Sequence, residues 1–79
     1  MQMDYRKRIQ VSPEVMVGKP VIAGTRIPVE IIIKKLADNI DAEEILRDYP
    51  KLTREDIKAA LFYASDLLEN EKIYKHQNV

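Results

Sequence analysis

The 79-residue chain has no cysteine, one histidine, one phenylalanine and only two glycines, and its 13 basic side chains are balanced by 13 acidic ones. Without cysteine there is neither a disulfide framework nor a thiolate zinc site, and the expected compartment is the cytoplasm. With His76 alone near the end, no Ser/His/Asp or Cys/His arrangement can be assembled, so nucleophilic catalysis has no residues to rest on. No apolar run approaches the ~18 residues that a membrane span needs, and the opening MQMDYRKRIQ has charges without the apolar segment of a secretory signal. Zero net charge disfavours nonspecific attachment to polyanions.

A single domain of this length buries only about 60% of the surface its unfolded form exposes, so its core is small and open to being shared with another chain. The charges are unevenly placed: residues 1–35 carry seven Lys/Arg against three Asp/Glu, and residues 36–79 carry six against ten. The resulting +4 and −4 halves suit either an anionic partner or two chains meeting through opposite faces.

Ile9 and Val11 alternate with polar neighbours, and the β-branched run at residues 20–23 follows the turn-rich SPEVMVGKP; a hairpin over residues 9–26 is predicted. Pro20 belongs at the start or edge of its strand, since it has no N–H for the ladder, and Gly18 and Gly24 bracket that strand as turn residues. Pro28 suits the first turn of a helix over residues 28–38, which Asn39 ends in a left-handed conformation. Asp41-Ala-Glu-Glu is a capping pattern for a short second helix, stopped at Tyr49-Pro50. Thr53-Arg-Glu-Asp opens a third helix whose Ile57, Ala60, Leu61, Ala64, Leu67 and Leu68 follow the rhythm of one buried face. The expected architecture is mainly α: a three-helix, homeodomain-like bundle with a short N-terminal β-hairpin. It comprises one domain, with a basic arm at 1–8, the hairpin at 9–26, the helices at 27–70 and a frayed tail at 71–79.

The stretch GKPVIAGTRIPVEIII pairs each glycine with a residue type found in phosphate loops. A Walker A loop, however, needs a helix-opening Gly-Lys-Ser/Thr, and here Pro20 follows Lys19 while no lysine follows Gly24. Architecture is the better reading. Arg26, just ahead of a helix start, suits either an external anion or a carboxylate of its own chain, the latter preferred. Ile31, Ile32 and Ile33 sweep more than the ~100° stripe that a surface helix buries, so either the hairpin or a second chain covers the excess, with Lys34 and Lys35 at its border.

Four tyrosines make no stacking platform and are expected to pack. The adjacent pairs Glu43-Glu44 and Glu55-Asp56 point about 100° apart on a helix, which suits helix-start acids better than a metal or acid/base site. If the last two helices form a helix-turn-helix, Arg54 and Lys58 could touch DNA, with Arg6, Lys7 and Arg8 as an arm. Seven acidic residues against three basic ones over positions 38–56 weigh against that face.

Taken together, Gly-Lys-Pro, Ala-Gly-Thr-Arg-Ile-Pro-Val and Asp-Tyr-Pro-x-Leu-Thr, in this order across residues 9–68, resemble the prokaryotic domain of unknown function 433 family. The resemblance implies a small homeodomain-like domain and an antitoxin-like role, since members are commonly encoded beside a PIN-like nuclease partner. It brings no catalytic residues. The expectation is a nonenzymatic, cofactor-free, homodimeric interaction protein that binds a PIN-like nuclease through Arg26, Ile31, Ile32, Ile33, Lys34 and Lys35. The alternative is a dimeric DNA-binding regulator using Arg6, Lys7, Arg8, Arg54 and Lys58.

Overall fold

The structure, a computed structural model, describes residues 4–75. A single 3₁₀ turn at Tyr5–Arg8 leads into β1 (Ile9–Gln10), which pairs antiparallel with β2 (Val21–Ile22) in the register Ile9 to Ile22 and Gln10 to Val21. Three helices follow: α1 (Val29–Ala37), α2 (Ala42–Asp48) and α3 (Arg54–Lys75). The mainly α architecture with an N-terminal hairpin is therefore as expected. The hairpin is shorter than the alternating pattern suggested, because pairing ends at Gln10 and leaves Val11 exposed.

Both glycines serve the backbone. Gly24 has φ +80° and turns the chain out of β2, and the neighbouring Thr25 hydroxyl donates to the Ile22 carbonyl at 2.7 Å while accepting from the Ile27 N–H at 3.0 Å. Lys19, beside Gly18, pairs with Glu30 in the first turn of α1 at 3.0 Å. The Gly-Lys and Gly-Thr steps are thus architecture.

Pro28 stands one place earlier than predicted, as the extended residue just before α1, with ψ 143°. The reason is a bridge to Val21, which holds it in β geometry, while the Val29 N–H reaches back to the Pro20 carbonyl at 2.9 Å.

Helix ends follow the sequence closely. Asn39 has φ +68°, and the Ile40 N–H returns to the Lys35 carbonyl, closing α1 by the left-handed route. The Asp41 carboxylate accepts from the Glu44 N–H at 2.9 Å to start α2. At α3 the exchange is reciprocal: the Thr53 hydroxyl accepts from the Asp56 N–H, and the Asp56 carboxylate accepts from the Thr53 N–H.

The core is Ile22 of β2, Val29 and Ile32 of α1, Ile45 of α2, Leu52 of the α2–α3 connection, and Ile57 and Ala60 of α3, with Ile9, Leu36, Tyr49 and Tyr63 packed around it. Around that core α3 is disproportionately long. Its 22 residues extend about 33 Å, whereas the nine residues of α1 extend about 13 Å. The helix runs on to Lys75, past the predicted boundary at residue 70; His76 and the rest of the expected tail lie outside the described residues, as do residues 1–3.

Met16, Val17 and Gly18 all have positive φ, +51°, +56° and +82°, in one left-handed turn between the strands. Valine is poorly suited to this region, which costs an L-residue about 1–2 kcal/mol, and its side chain is 93% exposed with no packing in return. Val17→Asn is expected to raise stability by about 1 kcal/mol, read as a higher denaturation midpoint with unchanged slope. Asp56→Ala is expected to lower it by about 2 kcal/mol, since it removes a cap and leaves the Thr53 N–H without its acceptor.

Candidate interaction site

The three isoleucines that open α1 part company once folded. Ile32 is fully enclosed beside Ile22 of β2, so the hairpin covers it and no partner can reach it. Ile31 is half-buried. Ile33 is half-buried too, and it forms one wall of an open groove of about 630 Å³ between α1 and α3. Val29, Lys34 and Ala37 continue that wall, and Tyr63, Ala64 and Leu67 of α3 face them. Of the isoleucine triplet, Ile33 alone borders this groove, which residues of α1 and α3 line together.

The contribution of α3 comes from residues expected to lie in the core. Ile57 and Ala60 are buried as predicted, but Leu61 is 47% exposed, Leu67 45% and Leu68 63%. The predicted face is buried at Ile57 and Ala60; Leu61 and Leu68 line a separate shallow depression, and Leu67 lines the groove beside α1. The apolar rhythm of α3 covers more than the one side that the rest of the chain packs against.

The predicted cations are scattered by the fold. Lys34 is exposed at the groove. Lys35 is drawn over the Tyr49 ring, 5.8 Å from its centroid. Arg26 lies in a separate shallow cleft of about 510 Å³ with Lys51, Thr25 and Ile27. Among the described residues it has no ion-paired carboxylate, contrary to the preferred clamp on its own chain.

The five positions proposed for nucleic acid are partly spent inside the chain. Arg8 pairs with Asp56 at 3.1 Å and Arg54 with Glu43 at 3.2 Å. Arg6 lies 5.8 Å from the Tyr5 ring. Lys7 and Lys58 are exposed and without an ion pair among the described residues. The basic arm is a folded 3₁₀ turn packed on α3: Tyr5 stacks on Phe62 at 5.9 Å and hydrogen-bonds the Asp66 carboxylate.

Among the described residues no three acidic or imidazole side chains converge in a way that could hold a metal ion, and no helix is long and apolar enough to cross a membrane. The chemistry on display is surface chemistry: an apolar groove, a leucine-bearing helix and flanking charges. The molecule is a small mainly α domain with an N-terminal β-hairpin.

Comparison with known proteins places it further. Residues 9–64 match the family described as protein of unknown function (DUF433), and the chain belongs to that family. It is similar to an uncharacterized protein, y4eO, of Sinorhizobium fredii, with 36% identity over 59 residues, which are 75% of this chain and 27% of the relative. It also resembles the crystal structure of a DUF433 member from Anabaena variabilis, with TM-score 0.74 and 34% identity over 85% of this chain and 66% of that one. The chain thus spans about a quarter of the first relative's length and just under two thirds of the second's.

The contact between the N-terminal turn and α3 is open to a pH test. The hydrogen bond to Asp66, then desolvation, then the charge of the same carboxylate, raise the Tyr5 phenol above its ordinary value of 10.0. A pKa raised by folding means that the contact stabilises below about pH 10 and is lost as pH climbs through the raised value. Tyr5→Phe is therefore expected to remove a phenolate absorbance change above pH 10 in an alkaline titration. If the change above pH 10 is undiminished in Tyr5→Phe, the Tyr5–Asp66 bond is not what delays ionisation.

Proposed function

We propose that this chain is a nonenzymatic interaction protein, the antitoxin-like partner of a PIN-like nuclease, which it neutralises by binding. The observation that carries the reading is the open groove between α1 and α3, about 630 Å³, walled by Ile33 and Ala37 on one side and Tyr63 and Leu67 on the other. A groove of this size and composition accepts the apolar face of a partner helix, with alternate side chains seated in it. Lys34 at its rim is positioned to meet a carboxylate of the partner, which adds orientation and association rate more than affinity. Arg26 belongs to a different cleft and Lys35 is held by Tyr49, so neither is needed for this contact. The choice of a nuclease as partner comes from the family resemblance, which implies a PIN-like neighbour; the matching family itself is described as of unknown function.

The alternative, a DNA-binding regulator, draws on one specific contact. Arg8 reaches Asp56, so the basic turn Tyr5–Arg8 lies beside the start of α3, where Arg54 and Lys58 stand. Against it, Arg8 and Arg54 are each paired with a carboxylate, which must be given up or shared before a phosphate is neutralised. Binding to upstream DNA is expected to be weak at every salt concentration; a steep negative salt slope would favour the regulator.

Co-expression with a candidate PIN-like nuclease is expected to yield a complex in which nuclease activity is suppressed. Leu67→Glu, at an exposed position, is expected to weaken that complex at least tenfold while circular dichroism stays unchanged. A complex of undiminished affinity would move the partner site away from the groove.

A further inference from the structure

The turn that leaves β2 and the connection between α2 and α3 meet at the second cleft, of about 510 Å³, whose lining includes Arg26 and Lys51 and no acidic residue. Arg8, Lys19 and Arg54 each hold a carboxylate of this chain, whereas Arg26 and Lys51 have none among the described residues. Two positive charges are thus left together and uncompensated. The backbone adds donors to them. The N–H groups of Thr25 and Ile27 are taken up inside the turn, by the Ile22 carbonyl and the Thr25 hydroxyl at 3.0 Å each, but those of Gly24 and Arg26 meet no acceptor among the described residues. Gly24 has φ +80°, and a Cβ at this position would project into open space, so a ligand can come close to the main chain there.

We infer that this cleft binds a small phosphomonoester. Such a group carries about −1.5 to −2 charges at pH 7 and three strong acceptor oxygens, which match a guanidinium fork, an ammonium and turn N–H groups of the kind that form anion-binding concavities. A carboxylate brings one charge and two oxygens, and leaves one of the two cations unanswered. The volume is that of a small-molecule site and exceeds what a phosphate alone fills, so the body that carries the phosphate has room against Val15 and Ile27. Both cations stand on main chain that is already ordered. The Thr25 hydroxyl ties the Arg26 turn to Ile22 and Ile27, and Lys51 lies in a turn closed by the Leu52 N–H on the Tyr49 carbonyl at 2.9 Å, with Leu52 buried. Little backbone ordering is left to oppose binding. The groove between α1 and α3 takes no part, so the inference stands apart from the nuclease-binding reading.

An amide-resolved NMR titration of the full chain with ribose 5-phosphate, inorganic phosphate and acetate at constant ionic strength tests this. Ribose 5-phosphate is expected to give saturable shifts at the Gly24 and Arg26 amides with a Kd below about 1 mM, inorganic phosphate to bind more weakly at the same amides, and acetate to leave them in place. Arg26→Gln and Lys51→Gln, both at exposed positions, are each expected to weaken the sugar phosphate about tenfold with an unchanged circular dichroism spectrum. Lys34→Gln, at the other groove, is expected to bind as the wild type does, which separates a built site from general surface charge. Shifts that do not saturate, that spread over the exposed lysines, or that keep wild-type affinity in Arg26→Gln and Lys51→Gln overturn the proposal. Acetate or inorganic phosphate binding as tightly as ribose 5-phosphate overturns the assignment to a phosphomonoester.

Discussion

The carboxylate of Asp56 joins the two halves of this molecule. One oxygen accepts from the Thr53 N–H and so completes the start of α3; the other receives the Arg8 guanidinium at the head of β1, 48 residues away in sequence. At 7% exposure, Asp56 is the buried acidic residue among the described ones, and both of its oxygens are occupied. A buried carboxylate is tolerable only when paired and hydrogen-bonded, so the position of the N-terminal turn and the start of α3 are set together. The hairpin carries Ile22 into the core, the core covers Ile32, and the orientation of α1 against α3 follows.

The same contact recasts the charge asymmetry. The +4 and −4 halves suggest either an anionic ligand or a second chain, yet part of the complementarity is settled internally. Arg8 answers Asp56 across the halves, while Lys19 with Glu30 and Arg54 with Glu43 are satisfied within each. Exposed pairs of this kind contribute little stability individually. Their larger effect is on availability, because cations that looked open to a partner in the linear chain are already facing carboxylates.

Local signals were legible where a few adjacent residues suffice to satisfy backbone groups. The cap at Asp41, the left-handed Asn39, the reciprocal Thr53–Asp56 exchange and the turn glycines all concern backbone groups and their partners within five residues of one another. Pro28 was displaced by one position for the opposite reason: its bridge to Val21 is a contact between elements. The left-handed turn at Met16 and Val17 gave no warning, since neither side chain favours positive φ and the turn is held by the strands it connects.

The amino-acid sequence by itself determined the element types, their caps, the family and the apolar rhythm of α3, because each rests on neighbours along the chain. Which of those apolar residues face inward was decided only by the tertiary structure. Periodicity states that a side of the helix avoids water, but not how far along that side another element reaches. Ile57 and Ala60 face the core and are covered, Leu67 is left at the open groove beside α1, and Leu61 and Leu68 are turned toward a separate depression.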